Sequence, residues 1–325
     1  MVNHQYSPYY VFSPIRTRSS SKKKRINLSI ISPNFQKKID EFIDGELIEE
    51  NDREVVLAAV SQHGWALEYA SDDLKNDREV VLAAVKNAGT AFEFAGQDLK
   101  ENKKFVLEVN SHTGHALKYM SDALKDDRMV VLQVVSKYGY SLQHVSDNLK
   151  DDREIVLKAV SQHGWTLQYA SDDLKNDREV VLTAILNDSY ALQYASIDLK
   201  NDREIVLEAV SNYGETLQYA STDLKDDREI VLEAVKENGL SLQYASSYLK
   251  DDKEIVLEAV THNGEAFEYA SDDLKNNRKF VLEVLSKNTN AIKFVSKKLQ
   301  KDRGIRFKLK ELKELRRSTG FGFGT

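Results

Sequence analysis

Residues 51–300 are ten consecutive copies of one 25-residue unit without an insertion or deletion, each close to Asn-Asp-Arg-Glu-Val-Val-Leu-x-Ala-Val-Ser-x-x-Gly-x-x-Leu-Gln-Tyr-Ala-Ser-Asp-Asp-Leu-Lys. A short fixed period means that each copy is a supersecondary unit that buries its apolar face only by stacking on the next, so the chain extends as a solenoid rather than closing into a globule. A length of 325 residues would ordinarily suggest two globular domains, but here the repeats absorb most of it and leave only short flanks. The three prolines, Pro8, Pro14 and Pro33, all precede the repeats, so nothing inside the array breaks a helix. The expected fold is all-α: a right-handed α-solenoid of ten two-helix repeats with helical caps.

The chain contains no cysteine, which removes disulfides and thiolate metal sites and disfavours a small secreted fold dependent on covalent staples. No run approaches the ~20 apolar residues that span a bilayer, so a soluble intracellular protein without membrane insertion is expected. The formal net charge of −6 divides into three sectors. Residues 1–31 carry six basic groups and no acid, residues 276–325 carry a net +10, and the stretch between them holds −22. An acidic rod with basic ends is a statement about partners.

In the first copy, Asn51 and Glu54 have capping-box spacing, and Gly64 stands where a helix C-terminus accepts positive φ. Helix A is therefore expected from about Asp52 to His63, with Val55, Val56, Leu57, Ala59 and Val60 forming an apolar face wide enough to wedge between neighbouring repeats. Helix B is expected to bury Leu67, Ala70, Ser71 and Leu74 as one stripe at i, i+3, i+4, i+7 and to end at Asn76. Three positions do not vary among the ten copies: the second valine (Val56 to Val281), the following leucine (Leu57 to Leu282) and the late leucine (Leu74 to Leu299). These mark the expected core. Tyr69 and its equivalents, with Phe94, His144 and Phe294 in the same slot, form a ladder read as half-buried packing rungs, with a stacking ladder for a ligand as the alternative. Helices stacked about 8 to 10 Å apart give a rod roughly 80 to 100 Å long.

The flanks divide the chain further. Residues 1–31 are expected to be a disordered basic arm in which Lys22, Lys23, Lys24 and Arg25 could serve nuclear import or phosphate binding. Residues 32–50 supply an N-terminal cap helix that starts at Ser32-Pro33, buries Phe35, Ile39, Phe42 and Ile43, and closes at Gly45. Residues 301–317 supply a C-terminal cap helix, and 318–325 a flexible tail that could dock as a short peptide.

The positions that change most from copy to copy cluster at the turn between the two helices. They include His63 and Trp65, His112 and His115, Tyr138 and Tyr140, His163 and Trp165, Tyr190, and Tyr213. Both tryptophans and five of the seven histidines fall at such turns. A turn repeated along one edge of a rod gives a ribbon of aromatic and polar groups of the kind enriched in interfaces; unrestrained drift of exposed turns is the plain alternative. His112 and His115 lack a third ligand and are separated by Gly114 at a helix end, which argues against zinc. The repeated carboxylates lack the ligand spacing and turn glycine of a calcium loop and read as helix caps. No cofactor is expected. Polar groups present in every copy are structural parts, whereas catalysis needs a unique sheltered constellation, so an enzyme is not expected.

The pattern Asp-Arg-Glu-Val-Val-Leu-x-Ala-Val, a glycine, then Ala-Leu-x-Tyr-Ala-Ser-x-x-Leu-Lys resembles the tandem-repeat family known as domain of unknown function 4116, across residues 51–300. The resemblance implies an α-helical repeat protein of the kind found in bacteria, protists and large viruses, often in host-associated settings, where delivery into a host cell is one route of action. That family has no assigned activity and carries no functional residues over. Three readings follow. The first is a non-catalytic scaffold that binds another protein, with a basic segment, along the turn edge and acidic body. The second is a nucleic-acid binder that reads one base per repeat, which the acidic body disfavours. The third is self-association of the basic C-terminal end of one rod with the acidic body of another.

Overall fold

The structure, a computed structural model, describes residues 33–47 and 51–319, and every regular element among them is an α-helix or a 3-10 helix. Helix A runs Arg53–Gln62 in the first repeat and Arg278–Lys287 in the last, and is shortened to Lys103–Asn110 in the third. It starts one residue later than a capping box at Asn51 implies. Asp52 is the N-cap, accepting from the backbone N–H of Glu54 at 3.1 Å and of Val55 at 3.4 Å. Asn51 and its equivalents act elsewhere: they accept from the serine hydroxyl 20 residues on, as Asn51 does from Ser71 at 3.0 Å and Asn176 from Ser196 at 2.6 Å. The first residue of each such repeat is thereby tied to its last turn.

Helix B is not one helix. Its first half is a 3-10 helix, Gly64–Tyr69, and its second a single α-turn, Asp72–Lys75, with Ala70 extended between them at φ −71° and ψ 156°. The break has a cause outside the repeat. The backbone N–H at the Ser71 position bonds the last lysine carbonyl of the preceding repeat, as Ser171 does to Lys150 at 3.0 Å and Ser196 to Lys175 at 2.9 Å. A continuous α-helix would turn that N–H inward. Leu67, Ala70 and Leu74 are buried all the same.

The turn glycine also differs from expectation. Among the described residues positive φ occurs at Gly45, 77°, and not at Gly64. Helix A ends on an extended residue, His63 at φ −133°, and Gly64 opens the 3-10 helix. Its constraint is close approach, because a Cβ on Gly64 would stand 2.5 Å from the Ala84 carbonyl oxygen of the next repeat. Serine and threonine hold this place as Ser189 and Thr289, both buried, so the position demands a small side chain, not a left-handed backbone.

Of the three unvarying positions, Val56 is fully buried and Leu74 nearly so, but Leu57 and its equivalents are half-buried at the flank of the stack. The core is one continuous cluster from Ile39 and Phe42 of the first helix, Pro33–Ile43, to Ile305 of the last, Arg303–Thr319.

Two further devices join successive repeats. The repeat arginine pairs forward with the capping aspartate and following glutamate of the next copy: Arg53 with Asp77 at 2.8 Å and Glu79 at 2.6 Å, Arg153 with Asp177 at 2.8 Å and Glu179 at 2.5 Å. The carboxylates read from the sequence as local caps therefore also link repeats. Where the third repeat carries Asn102 and Lys104, Arg78 reaches Glu108 at 2.9 Å instead. The second device is a side-chain clamp. Asn187 accepts from the N–H of Gly164 at 2.7 Å and donates to the Ser161 carbonyl at 3.2 Å, one repeat back, and Gln162 grips Gly139 and Val135 in the same way at 3.1 and 2.9 Å.

Candidate functional site

The variable turn consists of two side chains flanking the small turn residue, at the His63 and Trp65 positions of each copy. The first caps the 3-10 helix where it can. Asp188, Asn238, Asn263 and Asn288 accept from the N–H two residues on, at 3.0, 3.0, 2.9 and 3.1 Å. In four other repeats this place is held by His63, Tyr138, His163 or Tyr213, and the 3-10 helix has no side-chain cap. A lost cap costs about 1 kcal/mol. Four aromatic or imidazole rings thus stand where the fold would be served better by asparagine.

Three of them, Tyr138, His163 and Tyr213, contact other rings within and across repeat boundaries. His115 lies 5.3 Å from Tyr140 between ring centroids, Tyr140 6.0 Å from Tyr138 and 6.3 Å from His163, His163 5.9 Å from Trp165, and Trp165 6.2 Å from Tyr169. The planes are tilted or edge-on, the arrangement that ring quadrupoles favour. The strip spans repeats three to five. A second group follows in repeats six and seven, with Tyr190 5.7 Å from Tyr213 and 6.4 Å from Tyr219. Tyr190 donates to Glu215 at 3.1 Å, and Asn238 donates to the other oxygen of that carboxylate at 2.9 Å.

Not every sequence candidate joins. Trp65, half exposed at 50 %, contacts only the ladder ring Phe94, at 5.7 Å, among the ring pairs of the described residues. His63 and His112 are exposed at their own turns. Gln162 and Asn187, one residue before the turn pair, are clamps between repeats. Lys22, Lys23, Lys24 and Arg25 lie outside the described residues. In turn, Tyr169 belongs to the strip and Tyr219 to the second group although the sequence placed them in a packing ladder; the four-residue spacing from Trp165 to Tyr169 was the available signal.

The charge around the strip differs from that of the rod as a whole. Burial raises the Tyr140 hydroxyl, with Tyr138 adding to the effect, and burial and then Glu215 push Tyr190 up to about 12. His144, in the tyrosine-ladder slot of the fourth repeat, is pushed down to about 4 by burial and then by the positive charges of Lys118, Lys125, His115 and Lys150. Lys118 and Lys137 stand over the rings of Tyr119 and Tyr138 at 5.0 and 5.1 Å. Repeats three and four together carry a net +1, whereas repeats five to nine carry −15. The strip therefore lies beside the acidic part of the body, not in the middle of it. Among the described residues no three His, Asp or Glu side chains gather as metal ligands, and no helix is long and apolar enough to cross a membrane.

The comparisons with known proteins agree with the fold. Residues 52–100, 102–150, 130–175, 152–200, 177–225, 202–250, 227–275 and 252–300 match the family described as Domain of unknown function (DUF4116). A search of the curated proteins found no match. The chain belongs to the DUF4116 family of tandem repeats.

Proposed function

We propose that this member of the repeat family is a non-catalytic scaffold that holds an extended segment of another protein against the turn edge of repeats three to seven. The observation that carries the reading is the aromatic strip from His115 to Tyr169, in which Tyr138 and His163 stand at the capping position without serving as side-chain caps. Rings that satisfy one another by tilted contact form a floor, and such a floor suits apolar side chains and the flat guanidinium of arginine. The −15 on repeats five to nine favours a segment that also carries Lys or Arg, by steering its approach. The recurring polar groups support the non-catalytic part of the reading, since the Asp caps, Arg ladder and Asn clamps are committed to joining repeats.

Affinity capture followed by mass spectrometry tests this. Replacing Tyr138, Tyr140 and Trp165 with alanine is expected to remove the captured protein while the helical circular dichroism persists. Unchanged capture would sink the reading. A single-stranded nucleic acid is the second reading, favoured by the lysines over Tyr119 and Tyr138; it requires binding of an oligonucleotide that weakens steeply with salt and is lost in the same variant.

A further inference from the structure

The cations of the body and those of the C-terminal end are used differently. Along the body each repeat arginine is engaged by carboxylates of the following copy, through to Arg228 with Asp252 and Glu254. The ladder changes at the last junction, where Lys253 faces a copy that has Asn277 and Lys279 in place of the acceptors. Beyond it, Lys297, Lys298, Lys301, Arg303 and Arg306 are exposed at the corner between the short helix Lys297–Gln300 and the last helix, Arg303–Thr319. Among the described residues none of the five is held in an ion pair. The one carboxylate between them in sequence, Asp302, is taken by Arg278 at 3.2 Å.

The outward face of the last helix continues the patch. Ile305 is buried on the side that packs against the tenth repeat, with Leu309 and Leu312 partly buried there. At the opposite side, i, i+3, i+4, i+7 from Arg303, stand Arg306, Phe307 and Lys310, with Glu314 beyond, 3.8 Å from Lys310. Phe307 is 73 % exposed. An uncovered aromatic ring beside cations, of which Arg303 and Arg306 are in no ion pair among the described residues, is the composition of a site that adsorbs to a negatively charged interface.

We infer that this corner is a docking surface for an anionic lipid bilayer, and that the rod binds it end-on. Charge complementarity selects the occupant and the pose together. Residues 276–325 carry +10, whereas residues 32–275 carry −22 and are repelled by the same surface. Only the end of the rod can approach, and the uncovered Phe307 ring beside these cations suits the interfacial layer of a bilayer. No helix inserts: the cations meet headgroups and Phe307 enters the interfacial layer. The turn edge of repeats three to seven is then held away from the bilayer and open to a partner.

Flotation of the full chain with phosphatidylcholine vesicles, with and without phosphatidylserine, tests the inference. Binding is expected with phosphatidylserine only, and it should weaken as salt rises. The triple variant Lys297→Glu, Lys298→Glu, Lys301→Glu should lose about 100-fold or more in partitioning. The charge-matched body variant Lys86→Glu, Lys158→Glu, Lys236→Glu should keep most of the binding, and Phe307→Ser should lose several-fold. Circular dichroism reports that each variant is folded. Equal binding to neutral vesicles, no binding to anionic ones, or equal loss in both triple variants would overturn the inference. So would retention of binding by the corner variant, since the N-terminal basic residues are intact in every protein compared. A single-stranded RNA that binds the corner more tightly than the vesicles and competes them off would assign the patch to nucleic acid instead.

Discussion

His144 occupies the slot that tyrosine or phenylalanine fills in the other nine repeats, and its environment keeps it neutral. Its folded value of about 4 lies below the ordinary 6.5, so between those limits the unfolded chain binds more protons. Stability is fully present above about pH 6.5 and falls as the pH is lowered towards 4. For a half-buried imidazole the effect is on the order of 1 kcal/mol. His144→Phe, which copies Phe94 and Phe294, should flatten the melting temperature between pH 6.5 and 4 without lowering it at pH 8; a parental slope in the variant would contradict the assignment. At this scale the sequence was legible where a side chain acts within its own repeat and misleading where it acts across a boundary. The tyrosine slot was read correctly as half-buried. Gly64 was assigned a left-handed backbone because the neighbour it must clear, the Ala84 carbonyl oxygen, is 20 residues away in sequence and cannot be seen in one copy.

At the scale of the element, the second helix was the expectation that failed. The spacing of Leu67, Ala70 and Leu74 fits an α-helix, yet those residues are buried by a 3-10 helix, an extended residue and a single turn. Periodicity reports which side chains are inside, but it does not report that Ser71-type backbones are recruited to bond the preceding repeat. The same boundary distinguishes two kinds of link. Asn187 makes two backbone hydrogen bonds across the boundary, one of them part-buried at the Gly164 N–H, and removing it leaves that N–H without that acceptor; Asn187→Ala is expected to cost about 1 to 2 kcal/mol. Arg153 makes two exposed ion pairs, so Arg153→Ala should cost under about 1 kcal/mol, and less still at high salt. Denaturant melts of the two variants check the order, and a larger loss for Arg153→Ala would mean that the ladder and not the clamp carries cohesion. Hydrogen bonds from Arg53 and Arg153 hold the Asp77 and Asp177 carboxyls below the usual range. That contribution is complete above about pH 4 and is lost as the pH falls through the lowered values.

For the whole molecule, the fixed period already implied an elongated stack with a continuous core, because each copy can bury its apolar face only against its neighbours. The sequence also located the turns where the aromatic side chains gather. It did not reveal that the rings of His115, Tyr138, Tyr140, His163, Trp165 and Tyr169 make one connected strip while Trp65 contacts Phe94 apart from it, since that depends on how far each copy advances and rotates on the last. A strip of that kind, beside a body that attracts cations and on a rod whose basic end is separate, makes recognition of a basic and apolar segment the central claim. Selection of a random peptide library on the immobilised rod, followed by affinity measurement on the variant Tyr138→Ala, Tyr140→Ala, Trp165→Ala, tests it most directly. The account predicts peptides that combine Lys or Arg with apolar or aromatic residues and that bind the variant about 100-fold or more weakly; peptides that bind both proteins equally would contradict it.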